Sequence, residues 1–418
     1  MTEEARRRAL VLFFAVVALA ALAAGMAEPV MASYYKEAYH VTAVQRGFIE
    51  FPRETPGMLC AVLIAALSTL GDIRIALISH ILTAIGLGVL GLFTPAYGVM
   101  LTFLFVYSMG THLFMPVQDA IGMSLAEPGY VGRRMGQYAS VKAGLSFFAA
   151  GVVFVGFRAG FFDFTRTTKL NFVIGGAASV LAALFTALLV HTVGPQTAAS
   201  KKFKLTYRRQ YKYYYLLTVL GGVQKQIALV YGSWVVIELL GKGADTLAML
   251  YIVANFLCIF FMRALGGWID RFGIKKMMFL DAFTFIGVYV VYGLAVWSIE
   301  DAAISRALAA GAIYVLFVAD RLSMQVGMVK SVYLRSIAWD PKEVSAVLST
   351  GTSFDHIVTI FAGAAGGLIW EHWGSHWVFF VAAAFSVGNV LIAAIVKPEE
   401  EQAFAANMRE QLAAKENT

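Results

Sequence analysis

Read from its N-terminus, the chain repeats one device: an apolar run of about 20 residues or more, closed by a short polar turn. A run of that length, wound as an α-helix, matches the hydrocarbon thickness of a bilayer. Such runs fall at 9–36, 43–69, 74–92, 96–126, 138–160 and 169–192, and again at 210–240, 245–266, 275–297, 303–336, 342–370 and 374–396. The pattern therefore predicts an all-α membrane protein of twelve transmembrane helices. Several runs exceed the minimum, which suits tilted or kinked helices. The polar stretch 193–209 is the only long interruption, and it divides the chain into 1–192 and 210–418, with six runs on each side. A duplicated architecture is the simplest reading.

Composition agrees. Hydrophobic residues make up 59% of the chain and charged residues 14%, with a mean hydropathy of +0.72. A soluble fold of this size needs a polar exterior that the chain lacks. The net charge of +7 is then a topology signal rather than a nucleic-acid footprint. Arg6 to Arg8 lie before the first run, and Lys201, Lys202, Lys204, Arg208 and Arg209 lie in the central linker. Arg74, Arg133, Arg134, Arg271, Lys275, Lys276 and Lys342 occupy turns on that same side. The positive-inside rule puts both termini and the linker in the cytoplasm, with a bacterial inner membrane as the expected location. Arg6 to Arg8 before an apolar run also resemble a secretory signal peptide. The run continues past Glu28, however, and its removal would leave an odd number of spans, so it is kept as the first helix.

Cys60 and Cys258 are too few and too isolated for a disulfide framework or a metal site. The sequence contains no phosphate-binding G-x-x-x-x-G-K-[ST] loop and no metal-binding Cys/His spacing. No metal, cofactor or nucleic acid is expected. Neither ATP-driven transport by this chain nor metalloenzyme chemistry has support.

The informative residues are the ionisable ones inside the runs. Such groups are expensive at membrane depth, and they usually face a hydrated cavity or a partner on a substrate or proton pathway. Glu28 lies in the first run, and Glu50, Arg53 and Glu54 in the second; His112 and Asp119 lie in the fourth, and Lys225 in the seventh. Asp320, Arg321 and Lys330 lie in the tenth, with Asp355 and His356 in the eleventh. Glu50, Arg53 and Glu54 can share a helical face, beside Pro52 and Pro56, which free backbone acceptors and favour a kink. The cluster suits either an internally neutralised gate or a site of proton coupling and substrate contact. Lys225 between Gln224 and Gln226 offers a cation ringed by amide donors and acceptors, unless it only neutralises a nearby acid.

One segment points to a family. Gly266-Gly267-Trp268-Ile269-Asp270-Arg271-Phe272-Gly273-Ile274-Lys275-Lys276 resembles the G-x-x-x-D-R-x-G-x-K/R-K/R signature of the major facilitator superfamily. The first-half counterpart, Leu67 to Arg74, keeps Gly71 and Arg74 but displaces its acid to Asp72. Gly132-Arg133-Arg134-Met135-Gly136 is similar to the basic-glycine turn between that superfamily's fourth and fifth helices.

The resemblance implies two pseudo-symmetric six-helix bundles, a central cavity lined by helices one, four, seven and ten, and flanking helices two, five, eight and eleven. The charged residues sort onto those helices. The remaining four have apolar centres, with His80, Asp281 and Asn389 as polar exceptions.

On this reading Arg53, His112, Lys225, Gln226, Asp320 and Arg321 are substrate-binding candidates. Glu28, Glu50, Glu54, Asp355 and His356 are proton-coupling candidates, and Asp119, Gly266, Asp270, Arg271, Gly273 and Lys275 are gate or motif residues. Three cations among them favour an anionic or zwitterionic metabolite, carried by alternating access in proton symport by a monomer. Efflux by proton antiport is the alternative transport mode. A transport-inactive sensor and an intramembrane enzyme are the alternatives of other classes.

Overall fold

The computed structural model describes residues 3–127, 130–194, 207–301, 305–340 and 343–416. Lys201, Lys202, Lys204, Lys342 and most of the expected linker lie outside the described residues. Helix dominates, and no strand forms among the described residues.

In chain order the first half contains α1 (Glu3–Ala27), α2 (Met31–Tyr39), α3 (Ala43–Phe48), α4 (Glu50–Leu67), α5 (Asp72–Leu92), α6 (Tyr97–Leu125), α7 (Val131–Arg158) and α8 (Leu170–Val193). The second contains α9 (Lys212–Ile227), α10 (Ala244–Phe272), α11 (Ile274–Glu300), α12 (Arg306–Val326), α13 (Val329–Ile337), α14 (Val344–Trp373), α15 (Ser375–Ile395) and α16 (Pro398–Glu416).

Among the described residues, ten helical stretches are long and apolar enough to cross a membrane. The expected spans 43–69 and 210–240 are the two outside that set, for visible reasons. α4 begins with Glu50, Arg53 and Glu54. α9 ends after 16 residues and gives way to π-helical turns at Ala228–Gly232 and Val235–Leu239. Such turns are frequent at functional sites. The first expected span is likewise interrupted by a 3-10 turn at Glu28–Val30, where Pro29 removes a backbone donor.

The helices form two compact units. One comprises Met1–Val41, Phe51–Phe203 and Lys242–Ile252; the other comprises Thr42–Glu50, Lys204–Gly241 and Val253–Thr418. Each therefore includes a short piece from the opposite half of the sequence. In the first unit α5 packs on α6 and α8, and α1 packs on α7 and α8. Gly110 makes the α5–α6 approach possible, since a Cβ there would lie 2.5 Å from Ser79 O and 2.6 Å from Thr83 N. In the second unit α11 packs on α12 and α15, and α14 packs on α3 and α9. His80, Asp281 and Asn389 are each buried, so these polar exceptions face the interior of their own units.

The signature segment has a structural explanation. Gly273 takes φ +80° at the N-cap of α11, and Gly71 takes φ +81° at the N-cap of α5. Both occupy the left-handed region that glycine enters without penalty, so the displaced first-half motif retains its turn. Lys275 Nζ donates to Ala394 O at 3.1 Å and Val396 O at 2.9 Å, satisfying carbonyls at the end of α15. Arg6 does the same for α6, with Nη2 donating to Ala126 O at 2.5 Å. Replacing Lys275 with Met is expected to remove about 1 kcal/mol of stability. Thermal unfolding in detergent should show a lower midpoint; an unchanged midpoint would contradict the capping role.

Candidate functional site

In the second unit the piece Thr42–Glu50 is seated against α14. Thr42 starts α3 with a reciprocal cap: Thr42 Oγ1 accepts from Gln45 N at 3.2 Å, and Gln45 Oε1 accepts from Thr42 N at 2.9 Å. Glycines make the seat. A Cβ at Gly367 would lie 2.6 Å from Ala43 O, and one at Gly363 would lie 2.9 Å from Glu50 Cγ. Tyr231, in the first π-helical turn, donates its hydroxyl to Gly363 O at 2.5 Å.

Within this seat Arg46 Nη1 lies 2.5 Å from Glu50 Oε1, with the side chains 6% and 0% exposed. Breaking a pair so deeply buried by removing one partner costs about 3–5 kcal/mol. The sequence reading groups Glu50 with Arg53 and Glu54 on one face and passes over Arg46. The i, i+4 spacing of Arg46 and Glu50 is the available signal. Gln226 is buried beside Gly363, and neither of its amide atoms has a hydrogen-bond partner among the described residues.

Lys225 and Asp355 form an ion pair between α9 and α14, with side chains 31% and 21% exposed. The flanking Gln224 is anchored: its Nε2 donates to Ser386 Oγ at 2.6 Å, and its carbonyl accepts from the Tyr289 hydroxyl at 2.6 Å. Lys225 is thereby held on a fixed frame but stays partly exposed. Asp320 and Arg321 are buried on α12. Asp320 lies beside Tyr289, and its Oδ1 has no partner among the described residues. The Arg321 guanidinium lies 4.7 Å from the centre of the Phe317 ring, with Nη1 3.6 Å from Met324 Sδ. His356 is half-buried on α14.

In the first unit Glu28, exposed in the 3-10 turn, accepts from the Tyr107 hydroxyl at 2.6 Å. Arg53 and Glu54 form an ion pair. Ser108 ties α6 to that pair, donating to Arg53 O at 2.5 Å while lying 3.1 Å from His112 Nδ1. Cys60 Sγ adds a contact from α4, 3.1 Å from His112 O. Glu28, Arg53, Glu54, His112 and the missed Tyr107 thus form one polar neighbourhood, where Tyr107 is near Glu28 and Arg53. A tyrosine in an apolar run gives no warning of such a role. Asp119 stands apart, exposed farther along α6. Among the motif residues, Asp270 and Arg271 are exposed at the end of α10, with Arg271 over the Phe272 ring, and Gly266 is half-buried.

Comparison with known proteins follows this geometry. The sequence profile described as Major Facilitator Superfamily matches residues 13–337. No curated protein matches the chain by sequence. Among solved structures, the nucleoside transporter NupG in a mutant form superposes with a TM-score of 0.75 at 13% identity, covering 93% of this chain and 100% of its own. A D-xylose-proton symporter superposes with a TM-score of 0.69 at 14% identity, covering 94% and 98%. A POT family transporter in complex with 5-aminolevulinic acid gives 0.72 at 11% identity, covering 94% and 96%. At these identities the likeness is one of fold.

Proposed function

The chain belongs to the Major Facilitator Superfamily, and from that premise we propose that it is a secondary transporter of a small anionic or zwitterionic metabolite, driven by proton symport. Its apolar helices and family make it an integral membrane protein. We take the expected second and seventh spans to cross as well, which gives twelve, with the basic turns in the cytoplasm.

The observation that carries this reading is the Lys225–Asp355 pair, which is ionic yet partly exposed. While Asp355 is ionised it holds the ammonium. Protonation of Asp355 frees Lys225 to bind the anionic group of a solute, so proton and solute anion enter together. Return of the proton to water on the other side restores the pair and expels the solute. Arg53 and Glu54 offer the same exchange in the first unit. Glu28, held by Tyr107 and exposed, is a further carboxylate able to take a proton. Asp320, Arg321, Gln226, His112 and His356 are proposed to shape the solute site. The structural neighbours, which include a nucleoside transporter, a D-xylose-proton symporter and a POT family transporter in complex with 5-aminolevulinic acid, support a small polar solute without choosing one.

The test is uptake by proteoliposomes of a panel of organic acids, amino acids, sugars, nucleosides and phosphorylated compounds, with and without an inwardly directed proton gradient. The reading expects at least one anionic or zwitterionic compound to accumulate only with the gradient. Accumulation confined to uncharged compounds, or indifferent to the gradient, would overturn it.

A further inference from the structure

The basic-glycine segment at the start of α7 has no part in the exchange described above, and it borders a shallow, open recess on the surface of the first unit. Phe14, Arg133, Arg134, Gly136, Gln137, Ser140 and Val141 line a recess of about 720 Å³ in the first unit. Arg133, Gly136, Gln137 and Ser140 recur at the i, i+3, i+4, i+7 spacing that places them on one side of α7. A Cβ at Gly132 or Gly136 would meet nothing within 4 Å, so bare backbone leaves room in front of both arginines.

The charge in the recess is only partly offset, by Glu127 beside Arg134. Arg133 is exposed and has no hydrogen bond or ion pair to a described residue. Arg134 is positioned instead: its Nη1 donates to Gln137 Oε1 at 2.9 Å, its guanidinium lies 5.9 Å from the Phe14 ring centre, and its Nη2 makes a long ion pair, 3.8 Å, with the exposed Glu127. Because the Gln137 oxygen is occupied, its amide nitrogen remains a donor. Ser140 Oγ donates to Gly136 O at 2.9 Å. Tyr130, the N-cap of α7, makes no side-chain cap, so the positive end of the helix adds to the same field. The nearby Arg6 is already used to cap α6.

We propose that this recess binds a phosphate group. Two neighbouring guanidinium groups, with one exposed acid beside Arg134, can share the several oxygens of a phosphate group, and arginine's planar fork suits phosphate oxygens. The group can belong to a soluble phosphate or to a phospholipid headgroup. Arg133 takes it directly, and Gln137 holds Arg134 in position to complete the contact. The inference rests on residues outside the proposed solute exchange, so its test needs no transport.

Thermal unfolding of the full chain in a neutral detergent is measured with inorganic phosphate against chloride at equal ionic strength. Retention of phosphatidylglycerol over phosphatidylcholine is measured by native mass spectrometry after extraction from nanodiscs. The expected result is a midpoint raised by about 3 °C at saturating phosphate, or one phosphatidylglycerol retained per chain. Either effect should be lost in R133Q/R134Q and kept in K142Q, which alters another basic residue of α7. Phosphate stabilisation alone assigns a soluble ligand, and lipid retention alone assigns a headgroup. Neither effect in the wild type, or equal effects in R133Q/R134Q with an unchanged midpoint in chloride, would overturn the site.

Discussion

Gly363→Leu is expected to reduce solute uptake at least tenfold while the protein still reaches the membrane and purifies as a monodisperse species. In the second unit the piece Thr42–Glu50 lies against α14 so closely that a single carbon added at Gly363 would sit 2.9 Å from Glu50 Cγ and 3.1 Å from Glu50 Cβ. The opposing glycine, Gly47, is equally confined: a Cβ there would lie 2.8 Å from the Tyr231 hydroxyl. A leucine cannot be absorbed by a small shift, because α3 is also fixed by its Thr42 cap and by the buried Arg46–Glu50 pair. The chain leaves the other unit at Val41 and returns to it at Phe51. Seating and release of α3 is therefore proposed as a step of the transport cycle. His40, with φ +54°, and the interruption between α3 and α4 at Ile49 provide bends at either end of the seated piece. Gly363→Ala should give a partial defect, since one methyl needs only tenths of an ångström from Glu50. Uptake by Gly363→Leu at the wild-type rate would remove the seat from the mechanism.

The second large effect concerns Lys225. Lys225→Ala and Asp355→Asn are both expected to abolish gradient-driven accumulation, but for different reasons. Without Lys225 the solute anion loses the cation that protonation of Asp355 releases, and Asp355 is left without its partner. In the Asp355→Asn variant the cation remains and binds the anion without taking up a proton. That variant should therefore retain solute exchange between equal concentrations on both sides while losing the response to a pH gradient; Lys225→Ala should lose both. Solute binding, read as protection of the protein against thermal unfolding, should survive in Asp355→Asn and vanish in Lys225→Ala. If both variants lost exchange and binding alike, the pair would be a structural brace and not a switch. The side chains' 31% and 21% exposure leaves both groups accessible to an exchange of partners, which the switch requires.

The helical fold was legible because membrane thickness writes itself directly into the length of apolar runs, and nearly every run returned as a helix. The interruptions were less legible. Pro29 announces the break after α1, but the π-helical turns after Ile227 lie in a mainly apolar stretch with no proline, so hydropathy could not register them. The charged positions were readable one by one, and their partners were not. Lys225 and Asp355 are far apart in sequence, and only tertiary packing brings them together. Glu50, Arg53 and Glu54 do share one helix, α4, yet Glu50 pairs back with Arg46 of α3, while Arg53 turns to its neighbour Glu54. The aromatic hydroxyls of Tyr107, Tyr231 and Tyr289, which organise the polar groups, look like ordinary apolar bulk in the sequence.

Proton movement coupled to solute tests the central claim most directly. Proteoliposomes holding a pH-sensitive dye, with no imposed gradient, are given an inwardly directed gradient of the transported solute. The account predicts that the lumen acidifies as solute enters, that an uncoupler abolishes the acidification, and that Asp355→Asn shows none while still admitting solute. Solute entry into wild-type vesicles with no change in lumenal pH, the dye remaining responsive to added acid, would contradict it.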